Sequence, residues 1–442
     1  MKKILKEKKF LAPALIAAML VSLGIPDKVY AGHSDWRKIM NQGHDAMRND
    51  QFDQAINKYE TALKEAEKVK VEDHLLARTY SELAHAYKNK RDLDKAEEYY
   101  RKALAIRKKE LGPYAEATAD NLKDLAYCLW SQRKYAKVEE VLKELLGYKE
   151  SSGDRNIETP LKMLARVSRD EHKYKEANQY LERLLKLEEK QLDKNNPELA
   201  EIHEQIARNY REQGKNEEAI DSFNKTIAII KKHRGENNFD VASNYDDIAY
   251  IYMQQFKYTD AEPLFKKGLE IRQSLLTPDN TEVLRSMQRL ANCYESQNKL
   301  EKARTLLESE IAILEKSLGD AHIDVSEALK RLARLHIKDQ KYGLALKSAC
   351  KALELRRAIA SKKDSSLSDD VRWVADLYAK DGKYDQSLAM LSEQEEIVKK
   401  LLGPASSEYI RLLKDHRNIL NRMNREDDAR KLDERIKDLE ES

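Results

Sequence analysis

Lys162 with Arg166, and Lys330 with Arg334, are two pairs of cations spaced four residues apart. On a helix that interval sets both side chains on one face, where they can hold an acidic group together. Gln288 and Asn292 repeat the interval with amides, which can bond the unpaired N–H and C=O groups of an extended chain. These are chemistries of binding. For catalysis the sequence offers little: no glycine-rich phosphate loop, CxxC, HExxH or GxSxG occurs. His44, His85 and His336 fall in helical segments and His233 and His322 in loops, and they read as isolated surface or edge residues. A metal site would need at least three converging ligands. The expectation is no catalytic residue, no metal and no cofactor.

Cys128, Cys293 and Cys350 form an odd, widely spaced set. A disulfide framework needs denser, paired cysteines, so the first two read as small core thiols and the third as a spare.

The elements that must position the basic and amide pairs are helices. Of 442 residues, 36% are charged and 41% hydrophobic, with only 13 Gly and 8 Pro. Few helix breakers in such a composition predict an almost wholly helical chain. The many Asp and Glu residues with Lys or Arg three or four away read as a solvated surface, each pair contributing about 0.2–0.5 kcal/mol.

A repeat organises the helices. A small residue recurs at Ala55, Ala96, Val138, Ala177, Ala219, Ala261, Ala303, Ala345, Ser387 and Ala429, spaced by 41, 42 and 39 residues and then by 42 six times. Twelve residues earlier stands a second small residue, as at Gly43, Ala84, Ala207 and Ala291. An aromatic often follows it by three, as at Tyr87, Tyr210 and Tyr294, and another large residue lies four after the second small one, as at Tyr59, Tyr100 and Phe265. Small residues let two helices approach while the large ones fill the gap and reach the next unit.

This signature resembles the tetratricopeptide repeat, whose usual length is 34 residues. The longer unit is similar to the kinesin light chain class, with its eight added residues extending the second helix and its exit loop. The resemblance spans roughly residues 35 to 440. It implies an all-α, right-handed superhelical solenoid of about ten helix-turn-helix units with a concave groove lined by first helices. Carried onto this sequence, the groove takes Lys123, Tyr127, Lys162, Arg166, Arg169, Glu204, Arg208 and Arg211, then Asp246, Tyr250, Arg285, Gln288, Asn292, Lys330 and Arg334. The basic pairs resemble half of a carboxylate clamp, whose complete pattern is absent.

The N-terminus sets the compartment. Lys2, Lys3, Lys6, Lys8 and Lys9 precede an uncharged run from Phe10 to Ile25, and Val29-Tyr30-Ala31 ends on the small residue that a signal peptidase requires. Cleavage after Ala31 makes the chain periplasmic or secreted, and an uncleaved membrane anchor over residues 10–25 is the alternative. Residues 1–31 carry 6 Lys and 2 acidic residues, so their removal takes the net charge from +3 to −1. That balance gives no long-range pull toward nucleic acid or anionic lipid. Units 1–3 are expected over 34–150 and units 4–10 over 156–442. The joint at 146–160, where the period shortens, suggests a shortened helix and a hinge, residues 361–370 read as a plain loop, and a polar helix caps the C-terminus. The expected function is a non-enzymatic scaffold or adaptor for a protein or peptide partner, acidic or extended. The alternative is a structural part of a cell-envelope assembly that binds through the convex face or the ends. The sequence leaves the oligomeric state open.

Overall fold

In the computed structural model the described residues are 27–69, 71–113, 115–151, 157–319, 322–359 and 366–441. Every regular element among them is an α-helix. Through the first five repeats these are α1 (Asp27–Arg48), α2 (Phe52–Val69), α3 (Asp73–Asn89), α4 (Leu93–Glu110), α5 (Glu116–Ser131), α6 (Tyr135–Ser151), α7 (Glu158–Asp170), α8 (Tyr174–Glu188), α9 (Pro197–Glu212) and α10 (Asn216–Arg234). The remaining five repeats hold α11 (Phe239–Gln254), α12 (Tyr258–Leu275), α13 (Thr281–Ser296), α14 (Leu300–Leu318), α15 (Ile323–Lys338), α16 (Tyr342–Ile359), α17 (Ser366–Lys380), α18 (Tyr384–Leu402), α19 (Ser407–Arg422) and α20 (Glu426–Glu441). Odd-numbered helices are the first, and even-numbered the second, of ten helix pairs.

The chain forms two compact bodies, one holding residues up to Lys194 with Glu201–Ala219, the other Asn195–Ala200 with Ile220–Ser442. In the first body each helix from α1 to α7 packs on its successor, and in the second the same holds from α11 to α19. The division between bodies falls in the fifth repeat. Of the joint expected over 146–160, residues 152–156 lie outside the described set, 146–151 close α6 and 158–160 open α7. Beside it α7 has 13 residues where α9 and α11 have 16, so a short first helix absorbs the shortened period.

The small residues do what their spacing demands. All ten of the second-helix series, Ala55 through Ala429, are buried. Gly43 is the tightest approach: a Cβ there would lie 2.3 Å from the Tyr59 ring, so only glycine admits that tyrosine. Tyr59, Tyr100 and Phe223 are fully buried, each on a second helix.

The turn inside each pair is one device repeated ten times. Asp50, Arg91, Arg133, His172, Gly214, Phe256, Asn298, Gln340, Gly382 and Asn424 all have φ between 55° and 78°. The next residue's N–H reaches back to a carbonyl five residues earlier, as in Gln51 to Ala46, Lys257 to Tyr252 and Lys383 to Tyr378. That left-handed residue and six-to-one bond are the Schellman helix stop. Only two of the ten positions are glycine, so composition concealed the motif.

Residues 366–370 are not loop. α17 begins at Ser366, and Ser368 is buried, accepting a 2.8 Å hydrogen bond from Gln394 Nε2. Ser and Asp suit a helix's first turn, where their oxygens meet free N–H groups, so a polar run there conceals the helix start. At the C-terminus α20 buries only Ala429 and Ile436. Residues 1–26, with the basic start and the apolar run, lie outside the described residues, and α1 starts at Asp27. No helix of the described residues is long and apolar enough to cross a membrane.

Candidate functional site

Successive first helices are offset so that a side chain on one meets the residue 43 positions later on the next. Trp36 Nε1 donates to Thr79 Oγ1 at 3.0 Å, and Arg289 Nη1 to Asp246 Oδ2 at 2.6 Å. The first-helix faces therefore carry rows of facing side chains, and what fills each row decides whether it is open to a partner.

In the first body much of the row is internally satisfied. Lys162 pairs with Glu158, Arg208 with Glu204 at 2.5 Å, and Arg211 with Glu212 at 3.2 Å. Lys123 and Arg169 are half-buried, and Tyr127 is 42% exposed. Arg166 is exposed, with its guanidinium 4.2 Å from the centre of the Trp130 ring. Trp130 is itself tied to α7 through a 3.0 Å bond from Nε1 to Asp170 Oδ2.

The histidines on these helices are not isolated. His44 Nε2 lies 3.4 Å from Glu82, and His85 Nε2 lies 3.4 Å from Asp124. His85 Nδ1 is also 3.0 Å from the Tyr100 hydroxyl. In the second body His416 Nδ1 lies 2.7 Å from Glu395, and His336 is buried, which holds its pKa below the usual value. Scattered in sequence, His44, His85 and His416 acquire partners because the stacking brings carboxylates of neighbouring helices beside them. Burial raises Asp124, but the His85 hydrogen bond and the charges of His85, Lys88 and Lys123 outweigh it and hold the carboxyl below its ordinary range.

In the second body three of the expected groove residues belong to the joints between helices. Asp246 is buried and paired with Arg272 at 2.9 Å as well as Arg289. Burial pushes its carboxyl up despite the two arginines. Room for this carboxylate comes from Gly268, where a Cβ would stand 2.6 Å from Asp246 Oδ1. Gln288 Nε2 donates at 2.7 Å to Glu310, which is 1% exposed and also takes Arg331 at 2.6 Å. Lys330 is buried, 2.5 Å from Asp370 and 3.1 Å from Glu327. The expected open basic pair of Lys330 with Arg334 therefore does not exist. Buried charges need partners, and the neighbouring helices supply them. Arg285 pairs with Glu282 at 2.9 Å. Tyr250 (53% exposed), Asn292 and Arg334 face solvent, with Arg334 5.8 Å from the Trp373 ring centre.

The tetratricopeptide repeat model matches residues 37–109, 75–151, 156–232 and 240–316, more than half of the chain. The chain belongs to the tetratricopeptide repeat family. Tetratricopeptide repeats generally mediate protein–protein interaction, their proteins are typically scaffolds, and their partners are typically proteins or peptides. Similar solved structures include the putative kinesin light chain nearly identical TPR-like repeats from Podosopora anserina, at 22% identity and TM-score 0.40, over 46% of this chain and 96% of that one. BtubC (BKLC) from P. vanneervenii is similar at 20% identity and TM-score 0.40, over 51% and 90%. The C-terminal part of a TPR repeat-containing protein from Cytophaga hutchinsonii is similar at 15% identity and TM-score 0.46, over 65% and 98%. No curated protein matches this chain.

Two cavities open on the first-helix faces of the tetratricopeptide repeats in the second body, at the same register three repeats apart. One, of about 360 Å³, lies among Ser243, Asp246, Tyr250, Phe265, Arg272 and Arg289. The other, also about 360 Å³, lies among Asp369, Arg372, Trp373, Asp376, Leu391, Asp415, Asn418 and Arg422. Asp246 facing Arg289 in the first becomes Arg372 facing Asp415 in the second, the same ion pair with its signs exchanged. The residues of this second cavity were missed because the groove assignment stopped at the eighth repeat. The period, carried on to the ninth and tenth, would have reached them. A third cavity, of about 410 Å³, lies by the second helices α12 and α14, among Lys266, Leu269, Glu270, Leu290, Tyr294, Lys302 and Leu306.

Proposed function

We propose that this chain is an exported, non-enzymatic scaffold whose tetratricopeptide repeats present their first-helix faces to a protein or peptide partner. The observation that carries the reading is the pair of cavities in one register, each walled by ion pairs and offering an aromatic ring, Tyr250 or Trp373. Rigid walls lower the ordering cost of binding, and an aromatic anchor supplies contact area with few rotors to freeze. Export after Ala31 rests on the basic start, the apolar run and the small cleavage residue.

The test is replacement of the two most exposed face tyrosines, Tyr127→Ala with Tyr250→Ala, against a control on α12, Glu270→Ala. Loss of partner recovery in the tyrosine pair alone supports the reading, and unchanged recovery contradicts it. Mass spectrometry of the mature N-terminus tests the export step separately.

The second reading is binding through the convex face in a cell-envelope assembly. It is favoured by the third cavity, whose Leu269, Leu290 and Leu306 make it the more apolar of the three. Glu270 borders that cavity, so greater loss from its replacement than from the tyrosine pair selects this reading.

A further inference from the structure

The gap between consecutive second helices carries the same residues at two places in the chain, and a ring fills only one of them. Between α2 and α4 the register gives Leu63, eight residues after Ala55, Tyr87, three after Ala84, and Lys95, one before Ala96. Lys95 Nζ stands 4.9 Å over the Tyr87 ring. Tyr99, three after Ala96, stacks on Tyr87 with ring centroids 5.6 Å and planes 10° apart. Between α12 and α14 the same positions hold Leu269, Tyr294 and Lys302, with Lys302 Nζ 5.3 Å over the Tyr294 ring. The position of Tyr99 is taken by Leu306, and here the gap opens as the cavity of about 410 Å³.

The chain thus shows within itself what such a gap accepts. A flat ring laid against the tyrosine gains stacking as well as apolar burial, which the shorter Leu306 does not supply. Leu269 and Leu290, both buried, complete an apolar floor. The rim is polar: Lys266 and Glu270, exposed and four residues apart on α12, border the cavity with Gln273. Among the described residues neither Lys266 nor Glu270 has an opposite charge as its partner. A cation and an anion side by side, both unspent, suit a group that carries both charges, a carboxylate next to an ammonium. An apolar floor with a few convergent polar groups is the make-up of a small-molecule site, and the volume holds more than one ring.

We propose that this cavity binds a free aromatic amino acid. The ring lies against Tyr294 as Tyr99 lies against Tyr87, the carboxylate meets Lys266 and the ammonium meets Glu270. The site sits by the second helices of the sixth and seventh repeats and does not depend on which face meets the protein partner. Its ligand fills the gap that Tyr99 fills between the first and second repeats, and so stabilises the second body.

The test is calorimetric titration and thermal melting of the full chain with L-phenylalanine, with L-leucine and p-cresol as comparisons. Phenylalanine is expected to bind and to raise the melting midpoint. Leucine, which lacks the ring, should do neither, and p-cresol, which lacks the headgroup, should bind more weakly than phenylalanine. Leu306→Tyr supplies the ring from within the chain, so it should abolish phenylalanine binding and raise the midpoint of the ligand-free protein. Leu306→Phe is a second filling variant with the same expected result, and circular dichroism checks that each keeps the native helicity. Lys266→Ala should weaken phenylalanine about tenfold, the size of one lost charge-assisted contact, and leave p-cresol unchanged. No binding at millimolar phenylalanine, equal binding of leucine, or undiminished binding by a folded filling variant would each overturn the site. Equal affinity for p-cresol and phenylalanine would overturn the amino acid as its ligand.

Discussion

Lys330 Nζ lies 2.5 Å from Asp370 Oδ1, joining the first helices of the eighth and ninth repeats through side chains about nine-tenths buried. Arg356 Nε stands 3.4 Å from the other Asp370 oxygen, so one carboxylate serves a buried and a half-buried cation from two elements. This is a structural joint, and a partner cannot reach it.

Removing the shared carboxylate should therefore hurt more than removing either cation. Asp370→Asn leaves Lys330 and Arg356 without their common partner and should cost about 3–5 kcal/mol. Lys330→Met leaves Asp370 still beside Arg356 and should cost less. Hydrogen exchange across α15 to α17 reads the difference locally, which suits a repeat array better than a global melt. Lys330→Glu would set a second carboxylate against Asp370 and loosen the same helices. It is thus a stability variant, and a charge reversal meant to probe binding belongs at Arg334.

The repeated helix stop offers a stabilising change. Phe256 holds φ at 59° and is 78% exposed, so it bears left-handed strain with little packing in return. Phe256→Gly should raise stability by about 0.5–1 kcal/mol, as relief of strain exceeds the entropy that glycine adds to the unfolded chain. Thermal melting followed by circular dichroism checks it; a lower midpoint would mean that the ring's edge contact with Tyr258 matters more.

Acid should loosen the first body through two carboxyls. Burial would raise Glu97, but hydrogen bonds from Lys134 and Arg101, with their charges, hold it below its usual value. Asp124 is likewise lowered overall. A carboxyl whose folded pKa is depressed adds stability above its unfolded value, near 4, and loses it as pH falls through the folded value. Stability of α3 to α6 should therefore drop as pH falls below about 4, with a shallower slope in Glu97→Gln combined with Asp124→Asn. An unchanged slope in that double variant would remove these two groups from the explanation.

Cys128 and Cys293 are buried and Cys350 only partly so, all three as free thiols. Burial pushes the Cys128 thiol up to about 11, which suppresses its thiolate further. The native chain should react with a thiol reagent at Cys350 first, and at all three only after unfolding. Early modification of Cys128 would show that α5 opens locally.

The ten-repeat period was legible because each second helix needs a small residue against its first helix. That requirement left Ala55, Ala96, Ala177 and their equivalents in plain view. The two core thiols were legible for the same reason, since Cys128 and Cys293 occupy interior positions of first helices. The helix stop was hidden, because Arg91, His172 and Gln340 adopt a conformation their side chains do not announce. The site was half legible. Spacing placed Tyr250 and Arg334 on the exposed side of their first helices, but which charges are spent depends on residues 22 to 43 positions away. Glu310 claims Gln288, Arg289 claims Asp246, and Asp370 claims Lys330. A polar run before α17 concealed that last partner.

The central claim is that the first-helix face meets the partner. A photo-crosslinking amino acid placed at position 250, and in a second variant at position 270 on the neighbouring second helix, compares the two faces within one repeat of the native protein. The account predicts one discrete protein adduct from position 250 and none from position 270. An adduct from position 270 with none from position 250 would contradict it and move the binding surface to the convex side.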